Sequence, residues 1–338
     1  MMSKQKISGV ILIDKPKGMT SQQVVSKVKY LFQSPLHDSK KAGHTGTLDP
    51  MATGLLPICL GEATKFSHYQ LDADKSYQAI ILLGAQTDTG DADGKVITQA
   101  AVPMFDDKLL SDIAQQFRGA QQQIPPMYSA LKKDGKKLYE YARAGIEVDR
   151  PPRDIVIKAI ELQSIDANQI ELTATCTKGT YIRVLAEDIA KALGTLGHLI
   201  ALRRSQVGKF SINDAISLQQ LEALSLDKRQ EHLLAIDACV DIAAELILTA
   251  EQCERMRLGQ RLNVYDQITE PLQCYLTTVL DEKGIESEYC PLSGEEEPML
   301  RHEQPVDIRL INEQNIFIGL GSLSLNGRLQ PKKIIAIA

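Results

Sequence analysis

An α+β fold in two parts is what this sequence predicts, and three observations carry the expectation. Strand-like and helix-like segments follow one another without the strict strand–helix–strand alternation that builds a parallel sheet. The length, 338 residues, exceeds one average domain and suits two. After about residue 245 the pattern changes to short strand-like pieces separated by turns, as in a small, mostly β unit.

The elements follow in order. Gly9-Val-Ile-Leu-Ile13 is a short run rich in β-branched residues, and Asp14-Lys-Pro-Lys-Gly18 cannot continue it, so a strand and then a turn are expected. Thr20 with Gln23 makes a capping box, and Val24, Val25, Val28, Leu31 and Phe32 supply the apolar stripe of a helix over about 21–32. The Gly/Thr-rich stretch 43–54 then reads as a loop. Segments 76–83 and 154–176 cluster β-branched and apolar side chains as strands do, and 106–118 reads as a helix. The clearest helix is 180–193, with Ile182, Leu185, Ala186, Ile189, Ala192 and Leu193 on one face, Thr180 to cap it and Gly194 to end it. Beyond 245, strands are expected at Leu246–Thr249, Cys274–Val279, Ile316–Ile318 and Ile334–Ile337. Segment 281–303, with eight acids against two bases, is expected to be a surface loop.

Composition narrows the function classes. Hydrophobic residues at 43% and charged residues at 24% are ordinary for a globular chain. No run approaches the roughly 18 apolar residues that cross a bilayer, and no signal peptide or anchor is read at the start. The six cysteines are widely spaced and form no Cys-x-x-Cys, so a reduced, cytoplasmic protein without structural zinc is expected. The net charge of −5 hides an asymmetry: 27 Lys+Arg against 22 Asp+Glu through residue 210, then 11 against 21. That split suggests a nucleic-acid-facing part followed by an acidic appendage.

The segment Gly43-His-Thr-Gly-Thr-Leu-Asp49-Pro-Met-Ala-Thr-Gly54 is tightly punctuated. Its glycines permit sharp turns, and Pro50 fixes the chain just after a carboxylate. Such a loop presents one Asp at a defined place. An isolated Asp-Pro is more often a structural turn, and the residues alone leave both readings open. No phosphate loop is present. Asp88, Asp91 and Asp93 before Gly94 do not make a calcium loop, because its first and twelfth positions would be Thr89 and Ala100.

That segment resembles, nearly letter for letter, the catalytic loop of the TruB family of tRNA pseudouridine synthases. The resemblance continues at Lys15–Ser21, Gly61–Lys65, Asp74–Tyr77, Thr87–Gly94, Ile124–Leu131, Gly135–Arg143, Lys178–Arg183 and Leu202–Arg204. It covers residues 10 to about 215 and, less closely, 317–335; residues 225–312 match poorly. It implies a mixed-sheet catalytic domain over 1–245, a thumb-like clamp at about 124–152, and a PUA-like RNA-holding domain over 246–338. The reaction implied is conversion of the T-loop uridine, position 55 of tRNA, to pseudouridine after base flipping.

By the same resemblance Asp49 is the catalytic carboxylate and Arg183 its ionic partner, while His44, Tyr77, Tyr181 and Leu202 lie near the uridine. Breaking C1′–N1, turning the uracil and joining C5 to C1′ needs a carboxylate and no redox or electrophilic cofactor. Read without the resemblance, Tyr77 is a core aromatic, Arg183 a surface-helix residue and His44 a loop histidine. No other histidine makes ligand spacing with His44, so no metal is expected. The thumb segment adds Lys132, Lys133, Lys136, Lys137 and Arg143 for phosphates, interleaved with Tyr139 and Tyr141 on which bases can stack. Composition alone equally allows a solvated helix face there. In the C-terminal part Arg328, Lys332 and Lys333 are the candidate RNA contacts. The partner expected is the tRNA T stem-loop, with a monomer and no obligatory protein partner. A silent RNA binder would not need Asp49, Tyr77 and Arg183 together, and a retaining glycosidase would need a second carboxylate about 5 Å from the first.

Overall fold

The run Val10–Ile13 is apolar at every position because both of its faces are covered. In the computed structural model, which describes residues 4–285, 289–290 and 299–336, strand β1 (Gly9–Lys15) sends Ile11 and Ile13 to one core and Val10 and Leu12 to another. The first core is closed by helix α1 (Ser21–Leu31), whose Thr20/Gln23 capping box forms as expected. The strand runs two residues past Ile13, because Asp14 and Lys15 still pair with Leu55 and Gly54.

The Gly/Thr-rich loop is narrower than the stretch 43–54. Its flanks are strands β2 (Ala42–His44) and β3 (Thr53–Leu60), which pair with each other in antiparallel register. Further strands of this sheet are β4 (Lys75–Leu83), β5 (Gly119–Gln123), β6 (Arg153–Ser164), β7 (Gln169–Cys176) and β8 (Gly197–Val207). The main path of the sheet runs Ile216–Ser217, β1, β3, β8, β4, β7, β6, β5. The β3–β8 and β1–Ile216 pairs are parallel and the others on this path antiparallel, so the sheet is mixed. On β4 the alternation is clean: Tyr77, Ala79, Ile81 and Leu83 enter the core while Gln78 faces out. Helices α2 (Asp107–Phe117) and α4 (Ile182–Ala192) cover that core.

Helix α4 begins differently from expectation. Its N-cap is Tyr181 and makes no side-chain capping bond, because the Thr180 hydroxyl donates instead to the Thr177 carbonyl, 2.9 Å away. Gly194 does end it, at φ +82°. Between β5 and β6, Lys132–Lys133 and Lys136–Lys137 form a two-stranded hairpin leading into α3 (Leu138–Arg143).

A second, five-stranded sheet follows, from β9 (Glu245–Leu248), β10 (Leu262–Asn263), β11 (Val306–Asn312), β12 (Phe317–Leu323) and β13 (Arg328–Ile334). The expected strand Cys274–Val279 is instead part of a helix, Glu270–Glu282. Leu272, Leu276 and Leu280 recur at i, i+4, i+8 and are buried together, Pro271 sits in the first turn, and Gly284 follows the end at φ +72°. Thr277 and Thr278 donate back to the Gln273 and Cys274 carbonyls, which quiets two residues that read locally as strand formers. Of the acidic segment 281–303, residues 286–288 and 291–298 lie outside the described residues, as does Ile337. The second sheet rests on the first part through an edge-to-face Phe66–Phe317 contact at 5.3 Å. Polar contacts join the parts as well, among them Lys65 Nζ donating to the Ile334 carbonyl and the Ala336 N–H donating to Glu62.

Candidate active site

The loop between β2 and β3 carries Asp49, and the protein holds it from three sides. Lys15, wholly buried, donates to the Pro16, Pro50 and Ala52 carbonyls at 3.0, 3.3 and 2.6 Å. Ser21, at the start of α1, donates to the Leu48 carbonyl and accepts from the Leu48 N–H. Arg204 on β8, also wholly buried, donates to Leu55, Gly46 and Thr47 carbonyls at 2.9, 3.1 and 3.4 Å. Gly54 at φ +102° has no room for a side chain, since a Cβ there would lie 2.3 Å from the Arg204 carbonyl oxygen. A loop fixed so thoroughly loses little freedom when a substrate arrives.

Arg183 is no surface residue. It lies in the first turn of α4 with its side chain 5% exposed, and its Nε stands 3.0 Å from Asp49 Oδ2. Its other nitrogens donate to the Thr89 and Tyr128 carbonyls at 2.6 and 2.7 Å, tying the base of the thumb to the site. The guanidinium also faces Asp91 at 3.7 Å. Asp91, considered in the sequence only for a calcium loop, is a second carboxylate beside Arg183, but it is buried and bonded by the Thr89 hydroxyl and the Asp93 N–H, so it serves the frame. It does not offer the glycosidase reading an exposed acid.

Burial pushes the Asp49 carboxyl up from its ordinary range; Arg183 and Lys15 pull it back and Asp91 adds to the rise. The side chain nevertheless keeps 36% of its surface open. Burial also lowers Lys15, to about 8, with Asp49 opposing the fall. Tyr77, buried on β4, is pushed up by burial and feels both Arg204 and Asp49. Tyr181 is likewise pushed up, with Ser129, Arg153 and Arg183 opposing. Thus Asp49, Arg183, Tyr77 and Tyr181 come together. Leu202 on β8 pairs with Ala79 of β4 and joins Leu48, Met51 and Tyr77 in one apolar cluster. His44 ends β2, where its Nδ1 accepts from the Gly46 N–H at 3.2 Å; burial and then Arg204 lower its pKa.

The thumb residues lie apart from this cluster. Lys132 and Lys136 are exposed, whereas Lys133 donates to the Asp149 carbonyl at 2.7 Å. The tyrosine faces expected to stack bases are already met by the chain's own cations, Lys137 and Arg143 at Tyr139 and Lys136 at Tyr141, 5.2 to 5.5 Å from the ring centres. In the second sheet Lys332 pairs with Asp307, and Lys333 turns to Lys65 and His68, so of the three candidates only Arg328 presents an exposed side with no such partner among the described residues.

Residues 35–182 match the TruB family pseudouridylate synthase N-terminal domain, and residues 183–250 match the tRNA pseudouridylate synthase B C-terminal domain. The chain is similar to tRNA pseudouridine synthase B of Psychrobacter cryohalolentis, 71% identical over 343 residues, 99% of this chain and 96% of that one. The chain belongs to the TruB family of pseudouridylate synthases. The counterpart in Methylobacillus flagellatus is 41% identical over 332 residues, covering 98% of this chain and 96% of that one. Two solved structures share the fold: an H/ACA ribonucleoprotein bound to a substrate RNA containing 2′-deoxyuridine, and a Cbf5–Nop10–Gar1 complex. Their TM-scores are 0.62 and 0.59, at 19% and 20% identity, over 97% and 98% of this chain and 85% and 84% of theirs. As a TruB family member the chain is an isomerase, and the loop around Asp49 lies inside the matched N-terminal domain. Among the described residues no helix is long and apolar enough to cross a membrane.

Proposed function

We propose that this chain converts the uridine at position 55, in the tRNA T loop, to pseudouridine, with Asp49 as the catalytic carboxylate. The observation that carries the reading is the Asp49–Arg183 pair, one partner buried and the other partly open, with Tyr77 and Tyr181 close enough to feel the Asp49 charge. The target base is stacked within its loop, so it must be flipped out, and exposed thumb lysines at 132 and 136 supply part of the binding energy through phosphates. Lys133, Lys137 and Arg143 complete that surface once the RNA competes for their present partners. In the cleft, Tyr77 and Tyr181 offer ring faces to the uracil, Leu202 an apolar wall, and His44 a polar edge.

The chemistry then needs only an ionised carboxylate at the reacting carbon or ring. The C1′–N1 bond breaks, the uracil turns, C5 bonds to C1′, and the C5 proton leaves while N1 gains one. Attack on the ribose, addition to the ring and proton abstraction all call on Asp49 in its charged form, and Arg183 keeps that form available. The part from 246 to 338 holds RNA as a PUA-like domain beside a catalytic domain of 1–245. Its removal should weaken tRNA affinity more than turnover, and a folded 1–245 fragment without any turnover would overturn that division. The chain acts in the cytoplasm as a monomer on tRNA, with no obligatory protein partner. Incubation with T-loop RNA, followed by carbodiimide labelling of pseudouridine, tests the whole reading; an unlabelled position 55 under conditions where the RNA binds would refute it.

A further inference from the structure

We propose that Gln123 is a positioning residue for Tyr181, gripping its backbone at both the N–H and the carbonyl so that the tyrosine is set for the uridine. The inference rests on the reading that places Tyr181 at the uridine. Helix α4 starts on an awkward residue. Its N-cap is Tyr181, whose side chain makes no capping bond to the first-turn N–H groups. Thr180, the residue better suited to cap, is spent on the Thr177 carbonyl. Two residues on from Tyr181, Arg183 pairs with Asp49 at 3.0 Å, so the turn without a cap is the one that carries the partner of the reacting carboxylate.

A residue from another strand supplies what the cap does not. Gln123 Oε1 accepts from the Tyr181 N–H at 2.8 Å, and Gln123 Nε2 donates to the Tyr181 carbonyl at 3.1 Å. One amide thus meets both polar backbone atoms of one residue, and the pairing itself fixes which end of the amide is oxygen. The reach is particular to this position. Of the three consecutive glutamines that end β5, Gln121 donates to the Phe117 carbonyl and Gln122 to Asp154, and only Gln123 is buried, at 5% exposure. β5 ends the main path of the sheet and pairs there with β6, Gln123 standing opposite Arg153, so the side chain leaves from an anchored strand end. The turn before α4 is pinned from β6 as well, where the Val156 N–H donates to the Thr177 hydroxyl at 2.9 Å. Arg183 keeps its ties to the Thr89 and Tyr128 carbonyls without Gln123, whereas the Tyr181 N–H has Gln123 as its partner. Gln123 is also the last residue before the thumb segment, so the strand that roots the thumb holds the tyrosine.

A Gln123 that merely filled space would lower the rate whatever stood at 181, and a double-mutant cycle separates the two roles. The rate of tritium release from tRNA carrying C5-tritiated uridine is measured at saturating enzyme for wild type, Gln123→Met, Gln123→Glu, Tyr181→Leu and both double variants, with RNA affinity measured alongside. Methionine has nearly the length of glutamine and neither hydrogen-bonding atom. The expected result is a fall of about 10²-fold for Tyr181→Leu and at least about 10-fold for Gln123→Met, with affinity unchanged, as a small misplacement at a reacting centre produces. With Leu at 181 the same Gln123 substitution should cost less than about 3-fold. Glutamate gives a second signature, because only its neutral form can both accept from the N–H and donate to the carbonyl. The Gln123→Glu rate relative to wild type should therefore rise as pH falls from about 8 to about 5.5, while the Gln123→Met ratio stays flat. Equal losses in both backgrounds, or a loss seen only in affinity, would overturn the proposal while leaving Tyr181 at the uridine. A near-normal Tyr181→Leu rate would overturn that placement and the proposal with it. Should Gln123→Met fail to fold, Gln123→Glu carries the same cycle.

Discussion

Replacing Asp49 by Asn separates a catalytic carboxylate from a structural one. Asn is nearly isosteric and keeps an acceptor toward Arg183, so the loop's Ser21, Lys15 and Arg204 anchors are undisturbed. Arg183 retains the Thr89 and Tyr128 carbonyls and Asp91, so no uncompensated buried charge is left behind. With Asp49 36% exposed, the lost ion pair should cost no more than about 1 kcal/mol. The sign of the pH dependence follows from the raised Asp49 pKa. A carboxyl raised in the folded state contributes stability that is full below its unfolded pKa and is lost as pH rises through the folded one. Asp49→Asn should therefore gain stability relative to wild type across that interval, in chemical denaturation followed from pH 3.5 to 7. Isomerisation, followed by tritium release, should fall below detection while tRNA still binds. A rate above about a hundredth of wild type would limit the carboxylate's contribution to less than about 2.7 kcal/mol and sink the assignment.

Reversing charge at Lys132, Lys133, Lys136 and Lys137 should flatten the salt dependence of tRNA binding by up to about 0.7–0.9 in log–log slope per lost phosphate contact, and an unchanged slope would turn these lysines away from the RNA. Gly54→Ala forces a Cβ to within 2.3 Å of a backbone oxygen at φ +102°, so it should destabilise by about 3 kcal/mol or more in thermal unfolding; wild-type stability would show that β3 can shift. Lys15, lowered to about 8, contributes stability that is present above its unfolded pKa and lost as pH falls through 8, so the advantage of wild type over Lys15→Met should grow between pH 8 and 10.5, with a ceiling of about 3 kcal/mol; a pH-independent difference would contradict the buried ammonium.

What the sequence made legible was local and short-range. The Thr20/Gln23 box and the glycine stop at 194 each depend on residues within a few positions, and each formed, as did the stripe of α4 except at Ala192, which is exposed while Ala190 is buried. The Asp49 loop was legible because Gly and Pro punctuate it, and Arg183 because the resemblance named it. Lys15 and Arg204 stood inside quoted motifs yet went unassigned, since a cation in a sequence reads as surface until carbonyls are seen converging on it. The helix Glu270–Glu282 was misread for the opposite reason. Tyr275, Thr277, Thr278 and Val279 favour strands one by one, but three leucines spaced four apart found a core on one side, and packing decided.

The overall charge of −5 is a poor guide to what this protein meets, because the field that matters is built from buried groups. Lys15, Lys75, Arg183 and Arg204 are all under a tenth exposed and surround the Asp49 loop, against two carboxylates, Asp49 and Asp91. Lys75 is lowered to about 8, by burial first and then by Arg204. A set of buried cations of this kind favours a ligand that brings negative charge. RNA does so twice, through its phosphates and through the electron density that gathers on uracil as C1′–N1 breaks. Fixed cations set around the Asp49 loop can stabilise charge that develops in the reaction without reorganising.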